Sequence, residues 1–308
     1  MAIRVVPTEF ATVQAAIDAA VAGDSIQILA GTFDGFEVTK ERLKIFGCGI
    51  RKTIIAGTPA NISGDGVLVS ANQTILQDFT VQGFDLNGNN VSSNNNVIVN
   101  VESSFNGDNG FEFFGEKNLI INCLLLLNSV QGIETTGDRN FIIKCESTQN
   151  KGEGFEIDSD CNKLIKSLAK ENFADGIDID DERSFNTIFG NTSIKNKGDG
   201  IEFDDDADFN NVIANLICNN GQSGIEIEAL DDEITSRNVI DSNIIRNNGP
   251  EDDGSGILIR NFARNNSIRF NKLKDNTPFD IETQGDSADE NTFDGNICEN
   301  SSPPNLCT

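Results

Sequence analysis

Short runs of alternating apolar and acidic residues recur along this chain. They open Gly110-Phe111-Glu112-Phe113, Gly132-Ile133-Glu134, Gly154-Phe155-Glu156-Ile157, Gly176-Ile177-Asp178-Ile179, Gly200-Ile201-Glu202-Phe203 and Gly224-Ile225-Glu226-Ile227. Period-two alternation marks a strand with one buried face. The glycines fall 22, 22, 22, 24 and 24 residues apart. Self-similarity at such a period predicts a solenoid in which each repeat is one turn of a coil. Two asparagine columns keep the same phase. One runs Asn96, Asn118, Asn140, Asn162, Asn186, Asn210, Asn238, Asn266 and Asn291, and the other runs Asn106, Asn128, Asn150, Asn172, Asn196 and Asn220. Stacked Asn amides donate and accept between coils, and Asn tolerates the left-handed backbone that corners need.

The period changes near the N-terminus. Residues 3–6 read as a first strand. Phe10, Val13, Ile17, Ala20 and Val21 then form a helical stripe that Gly23 ends, which predicts a capping helix within 9–22. Residues 89–96 hold five Asn and two Ser, which predicts a loose or bulged coil. Extra residues from Ala229 to Ser236 and from Gly249 to Asp253 predict loops on one side of the stack. The predicted fold is all-β: a single-domain parallel β-helix solenoid of about 12 coils with an N-terminal capping helix. Its parts are a cap with first strands (1–30), coils (31–295) and a C-terminal cap (296–308).

These ladders resemble the right-handed parallel β-helix of the pectin-lyase-like superfamily, including its NosD-like, CASH-type repeats, and the resemblance implies the right hand of the solenoid. The entry stretch Val13 to Ile17, then Gly23 to Ile26 and Ala30 to Phe33, is similar to that superfamily's first coil.

The acidic residue two after each glycine continues two positions further on. Four adjacent coils therefore place Glu156, Asp158, Asp178, Asp180, Glu202, Asp204, Glu226 and Glu228 on one strand face. Neighbours would lie about 4.8 Å apart across strands. Each pair then repels by roughly 1 kcal/mol even at water's dielectric constant. Such a field must splay into solvent, hold protons or recruit cations, and hard divalent ions such as Ca²⁺ match a set of oxygens. If the face is catalytic, carboxylates on adjacent strands suit a retaining glycosidase and those two strands apart an inverting one. Asp178 with Glu202, or Asp180 with Asp204, are the candidate pairs. The resemblance adds two further expectations. Lyases of the superfamily use Ca²⁺ with an Arg or Lys base, and Arg260 is the cation in line with the Glu228 column. A salt bridge relieving that column is its simpler role.

Composition narrows the chemistry. The chain of 308 residues has a formal charge of −26 and no His, Trp or Tyr. Nucleic acid and anionic membranes need basic footprints, so neither is an expected partner. No apolar run is long enough to insert into a membrane. Without His there is no Ser-His-Asp triad, no His-based metal site, and neither the Gly-His-Gly element of polygalacturonase-like relatives nor the Tyr- and His-containing motif of alginate-epimerase types. One Met and no His leave little for copper. The Phe residues read mainly as core. No signal peptide is visible at the start. Among seven cysteines, Cys298 and Cys307 stand nine apart in a Pro-containing tail and predict a disulfide, hence an oxidising compartment. Cys123 and Cys145 occupy equivalent places and read as stacked core residues, with a bridge between coils as the alternative.

The expected function is a secreted or surface-associated module, structural or glycan-binding, acting through this acidic face with Ca²⁺. The expected partner is a polysaccharide or cell-surface glycan, and the expected location is extracellular or at the cell surface. The alternative is a polysaccharide lyase or glycoside hydrolase acting at the same face.

Overall fold

A computed structural model describes residues 2–57, 64–229, 234–250 and 254–307. The chain is an all-β, right-handed parallel β-solenoid of about 13 turns. It divides into two compact units, Met1–Lys151 and Gly152–Thr308. Parts of the predicted loops, residues 230–233 and 251–253, lie outside the described residues.

In the first unit the strands Phe36–Val38, Val67–Val69, Asn89–Val91, Phe111–Phe113 and Ile133–Thr135 stack in parallel. Their register holds each inward column in line, as in Asn89↔Phe111 and Phe111↔Ile133. The helix spans Val13–Ala19, shorter than its stripe suggests, because Ala20 is already extended. Thr12 caps it by accepting from the Ala15 amide, and it buries Val13, Ala16 and Ile17. The coil at 89–96 is not loose, contrary to its composition. Asn89 and Asn96 are buried, Asn89 Nδ2 donates to Ser103 Oγ (3.2 Å), and Asn96 takes its place in the asparagine ladder. Its polar residues serve ladders rather than solvent.

In the second unit the corresponding strands are Phe155–Ile157, Ile177–Ile179, Ile201–Phe203, Ile225–Ile227, Ile257–Ile259, Ile281–Thr283 and Ser301–Ser302. Phe155, Ile177, Ile201, Ile225 and Ile257 form one fully buried column, and Ile157, Ile179, Phe203, Ile227 and Ile259 form the next. The glycine opening each of the first five strands is required by close approach. A Cβ on Gly200 would lie 2.3 Å from Ile217 Cγ2 and 2.5 Å from the Gly224 carbonyl oxygen.

The asparagine ladders are continuous within each unit. Asn186 N donates to Asn210 Oδ1, and Asn210 N to Asn238 Oδ1. The left-handed residue, however, is the one before the ladder Asn at these corners: Cys161, Phe185, Phe209 and Arg237 have φ of 62°, 63°, 56° and 59°. The Asn must aim its amide along the stack, so the bend falls on its predecessor, whose side chain turns outward. Several Phe therefore stand exposed at corners rather than in the core, among them Phe105, Phe185 and Phe209. Cys123 and Cys145 are buried thiols, while Cys298 and Cys307 are bonded to each other. The tail adds the strand Ser301–Ser302 to Ile281–Thr283.

Candidate functional site

The acidic column of the second unit is in register. Glu156 pairs across the ladder with Asp178, Asp178 with Glu202, and Glu202 with Glu226. None of the eight predicted carboxylates is exposed, and Asp178 and Glu226 are buried. A merely solvating face would leave them open.

The structure sorts these eight into distinct settings. At the edges cations and hydroxyls answer the charge. Arg183 Nε donates to Asp158 Oδ1 at 2.7 Å. Glu226 accepts from Arg260 Nε at 2.5 Å and from Ser223 Oγ at 3.1 Å. Arg260 thus takes the salt-bridging role. In the middle no such partner stands among the described residues. Asp178, Glu202 and Asp204 each bring a carboxylate oxygen within 4.8 Å of the others, as do Asp180, Asp181 and Asp204. Asp178 Oδ1 has no hydrogen-bond partner among the described residues, at 9% exposure.

Electrostatics follow this crowding. Burial first, then Asp204, Asp175, Glu156 and Asp180, push the Asp178 carboxyl well above the usual carboxylate range. Burial and the charges of Asp175, Asp199, Asp178 and Asp204 push Glu202 up to about 11. Asp204 rises to about 7, through burial and then Asp181 and Asp180. Glu228 is raised by burial and by Glu226 and Asp205, with Arg260 opposing. Buried carboxylates without partners either keep protons or take up cations.

Sequence reasoning missed two members of this centre, Asp175 and Asp199. Each directly precedes a strand-opening glycine, and each joins Glu202 in a third carboxylate group with oxygens within 4.8 Å. The signal was present: Asn87-Gly88 and Asn109-Gly110 become Asp175-Gly176 and Asp199-Gly200.

A second feature lies past the acidic strands, at the corner. Phe185 and Phe209 stack with ring centroids 5.0 Å apart and planes 13° off parallel, and the Arg237 guanidinium stands over Phe209 at 5.0 Å. Arg237 also lines a cleft of about 630 Å³ with Asp206, Asp208, Arg264, Asp289 and Glu290. An exposed ring platform beside forked donors and carboxylate acceptors is chemistry suited to a hydroxyl-rich ring.

The stacked parallel rungs define a right-handed β-helix protein. The family described as "Right handed beta helix region" matches residues 61–217 and 170–298, and the chain belongs to that family. Among curated proteins, none matches in sequence. Solved structures share the fold. The Azotobacter vinelandii mannuronan C-5 epimerase AlgE6 A-module superposes with a TM-score of 0.81 at 17% identity, covering 92% of this chain and 87% of that one. The alginate lyase AlyF-OU02, in complex with G6, gives 0.68 at 16% identity over 91% and 71%. The PL6 family polysaccharide lyase Pedsa3628 from Pseudopedobacter saltans gives 0.61 at 15% over 93% and 89%. Among the described residues no helix is long and apolar enough to cross a membrane.

Proposed function

We propose that this chain is a secreted or cell-surface β-helix module that binds a glycan along the acidic strand face of its second unit, with Ca²⁺ neutralising that face. The observation that carries the reading is the Asp178–Glu202–Asp204 group, whose buried Asp178 Oδ1 lacks a hydrogen-bond partner among the described residues. A divalent ion would supply the missing charge and leave coordination positions for ligand oxygens. The Phe185–Phe209 platform and the Arg237 cleft give a sugar chain a stacking surface and hydrogen-bonding groups. Fold neighbours named for acting on polysaccharides support the same direction. The Cys298–Cys307 disulfide supports an oxidising location outside the cytoplasm.

The test is affinity electrophoresis and calorimetry against neutral and acidic polysaccharides, with Ca²⁺ and after chelation. Binding to at least one glycan that is lost on chelation, and weakened by Asp178→Asn or Asp204→Asn, is the expected result. No retention by any polysaccharide in Ca²⁺ would reject the reading. New reducing ends, or unsaturated products absorbing in the ultraviolet, would replace it with a hydrolase or lyase at the same face.

A further inference from the structure

We propose that Asp175, Asp199 and Glu202 hold a second, buried divalent cation, Ca²⁺ in the first instance, which takes over the bridging role that an asparagine amide plays in the first unit. The three side chains offer oxygens within 4.8 Å of one another. Asp199 is only 2% exposed, and its Oδ1 has no hydrogen-bond partner among the described residues. Ser223 Oγ donates to Glu226 Oε2 at 3.1 Å, so that hydroxyl's one proton is not offered to Asp199. The orphan oxygen therefore has nothing to accept from among the described residues.

The first unit shows what this position does when it is occupied by an amide. Asn87 Oδ1 accepts from the backbone N–H of Asn109 in the next rung, and Asn87 Nδ2 donates to Glu112 at 2.5 Å. Asn109 repeats the pattern, accepting from Gln131 N and donating to Glu134 at 2.5 Å. In the second unit Asp175 keeps the first half of this arrangement, with its Oδ1 accepting from Asp199 N. The second half has reversed sign. Where Asn presents N–H to the glutamate of the next rung, Asp presents another oxygen to Glu202.

A single proton shared between Asp175 and Glu202 would still leave two negative charges, one of them on the buried Asp199. Buried charges are tolerated when paired or metal-bound, and a small hard cation among three oxygens meets that condition. Glu202 also belongs to the outer group with Asp178 and Asp204. It would bridge the inner ion and the outer one. The inner site does not depend on glycan binding, so failure of the glycan reading leaves it standing.

The test uses the full chain, stripped of metal, at pH 7.5. Calorimetry with Ca²⁺ and with Mg²⁺ reads stoichiometry, and thermal melting reads stabilisation. The wild type should bind at least two Ca²⁺ ions, one tightly, with a saturable rise in Tm. Asp175→Asn/Asp199→Asn should melt higher than the wild type without metal, since the amides restore the first-unit bond. It should also lose roughly tenfold or more in affinity for the tight ion. Asp204→Asn, which touches only the outer groups, should keep the tight phase. Should the double variant fail to fold, Asp199→Asn and the wild-type stoichiometry carry the test. A wild type that binds one ion or none, or a tight phase abolished by Asp204→Asn and untouched by the double variant, would overturn the proposal. So would a Tm indifferent to both cations and falling steadily with pH, which means that the group holds a proton instead.

Discussion

In the two units the same position in the coil carries opposite chemistry. Glu112 of the first unit faces an Asn87 amide, and burial with the charge of Glu134 raises its carboxyl only to about 7. Glu202 of the second unit faces Asp175 and Asp199 and is pushed to about 11. Backbone, glycine column and register are alike. What differs is whether the residue before the glycine offers a nitrogen or a second oxygen. A ladder that holds rungs together in one unit becomes, by that exchange, a place requiring an added charge in the other.

This contrast can be broken from either side. The largest effect is expected at Arg260, which pairs with the buried Glu226. Arg260→Ala strands that carboxylate and should cost about 3–4 kcal/mol in urea unfolding. Asn109→Asp would bring second-unit chemistry into the first unit by placing a carboxylate against Glu134. A loss of about 2–3 kcal/mol in chelator is expected, with part regained in Ca²⁺. An unchanged midpoint would mean that the amide bond to Glu134 contributes nothing.

Acidity sharpens the comparison without altering the stack. The folded-state value of Glu112, about 7, lies above its ordinary 4.5. The folded state therefore binds the extra proton, and this contribution to stability is complete below about 4.5 and lost as pH rises through about 7. The groups facing Glu112 are Glu134, Asn87, Asp65 and Asp108. In chelator, Glu112→Gln should flatten the fall in Tm across that window, and an unaltered slope would remove Glu112 from the account. The smallest effect on stability belongs to Phe209→Ala at the exposed corner, within about 0.5 kcal/mol. The same change should weaken glycan retention on affinity gels if the ring platform is part of the binding surface.

Much of this architecture is readable in the residues because a solenoid writes its geometry as a period. The glycine column, both asparagine ladders and the acid two after each glycine lie in register as their spacing predicts. Position in the coil was legible, but local partners were not. Asp175 and Asp199 escaped because the column before the glycine drifts through Asn, Gln, Glu, Asp and Ser, and only contact with the next rung gives it meaning. Phe185 and Phe209 escaped because nothing in an apolar residue announces a left-handed corner. The Asn-rich stretch at 89–96 was misjudged for the converse reason, since polar residues that stack on copies of themselves need no solvent.

The short strand Ser301–Ser302 closes an edge of the stack. It lies over Ile281–Thr283 and belongs to a tail whose two cysteines are joined. A parallel stack has no natural last rung, and its final strand offers an unpaired edge to any other copy. A thiol reductant that frees this tail should let it peel away and bare the Ile281–Thr283 edge, so that copies associate through it. Light scattering before and after reduction would reveal such growth, and an unchanged signal would show that the edge stays closed without the sulfur link.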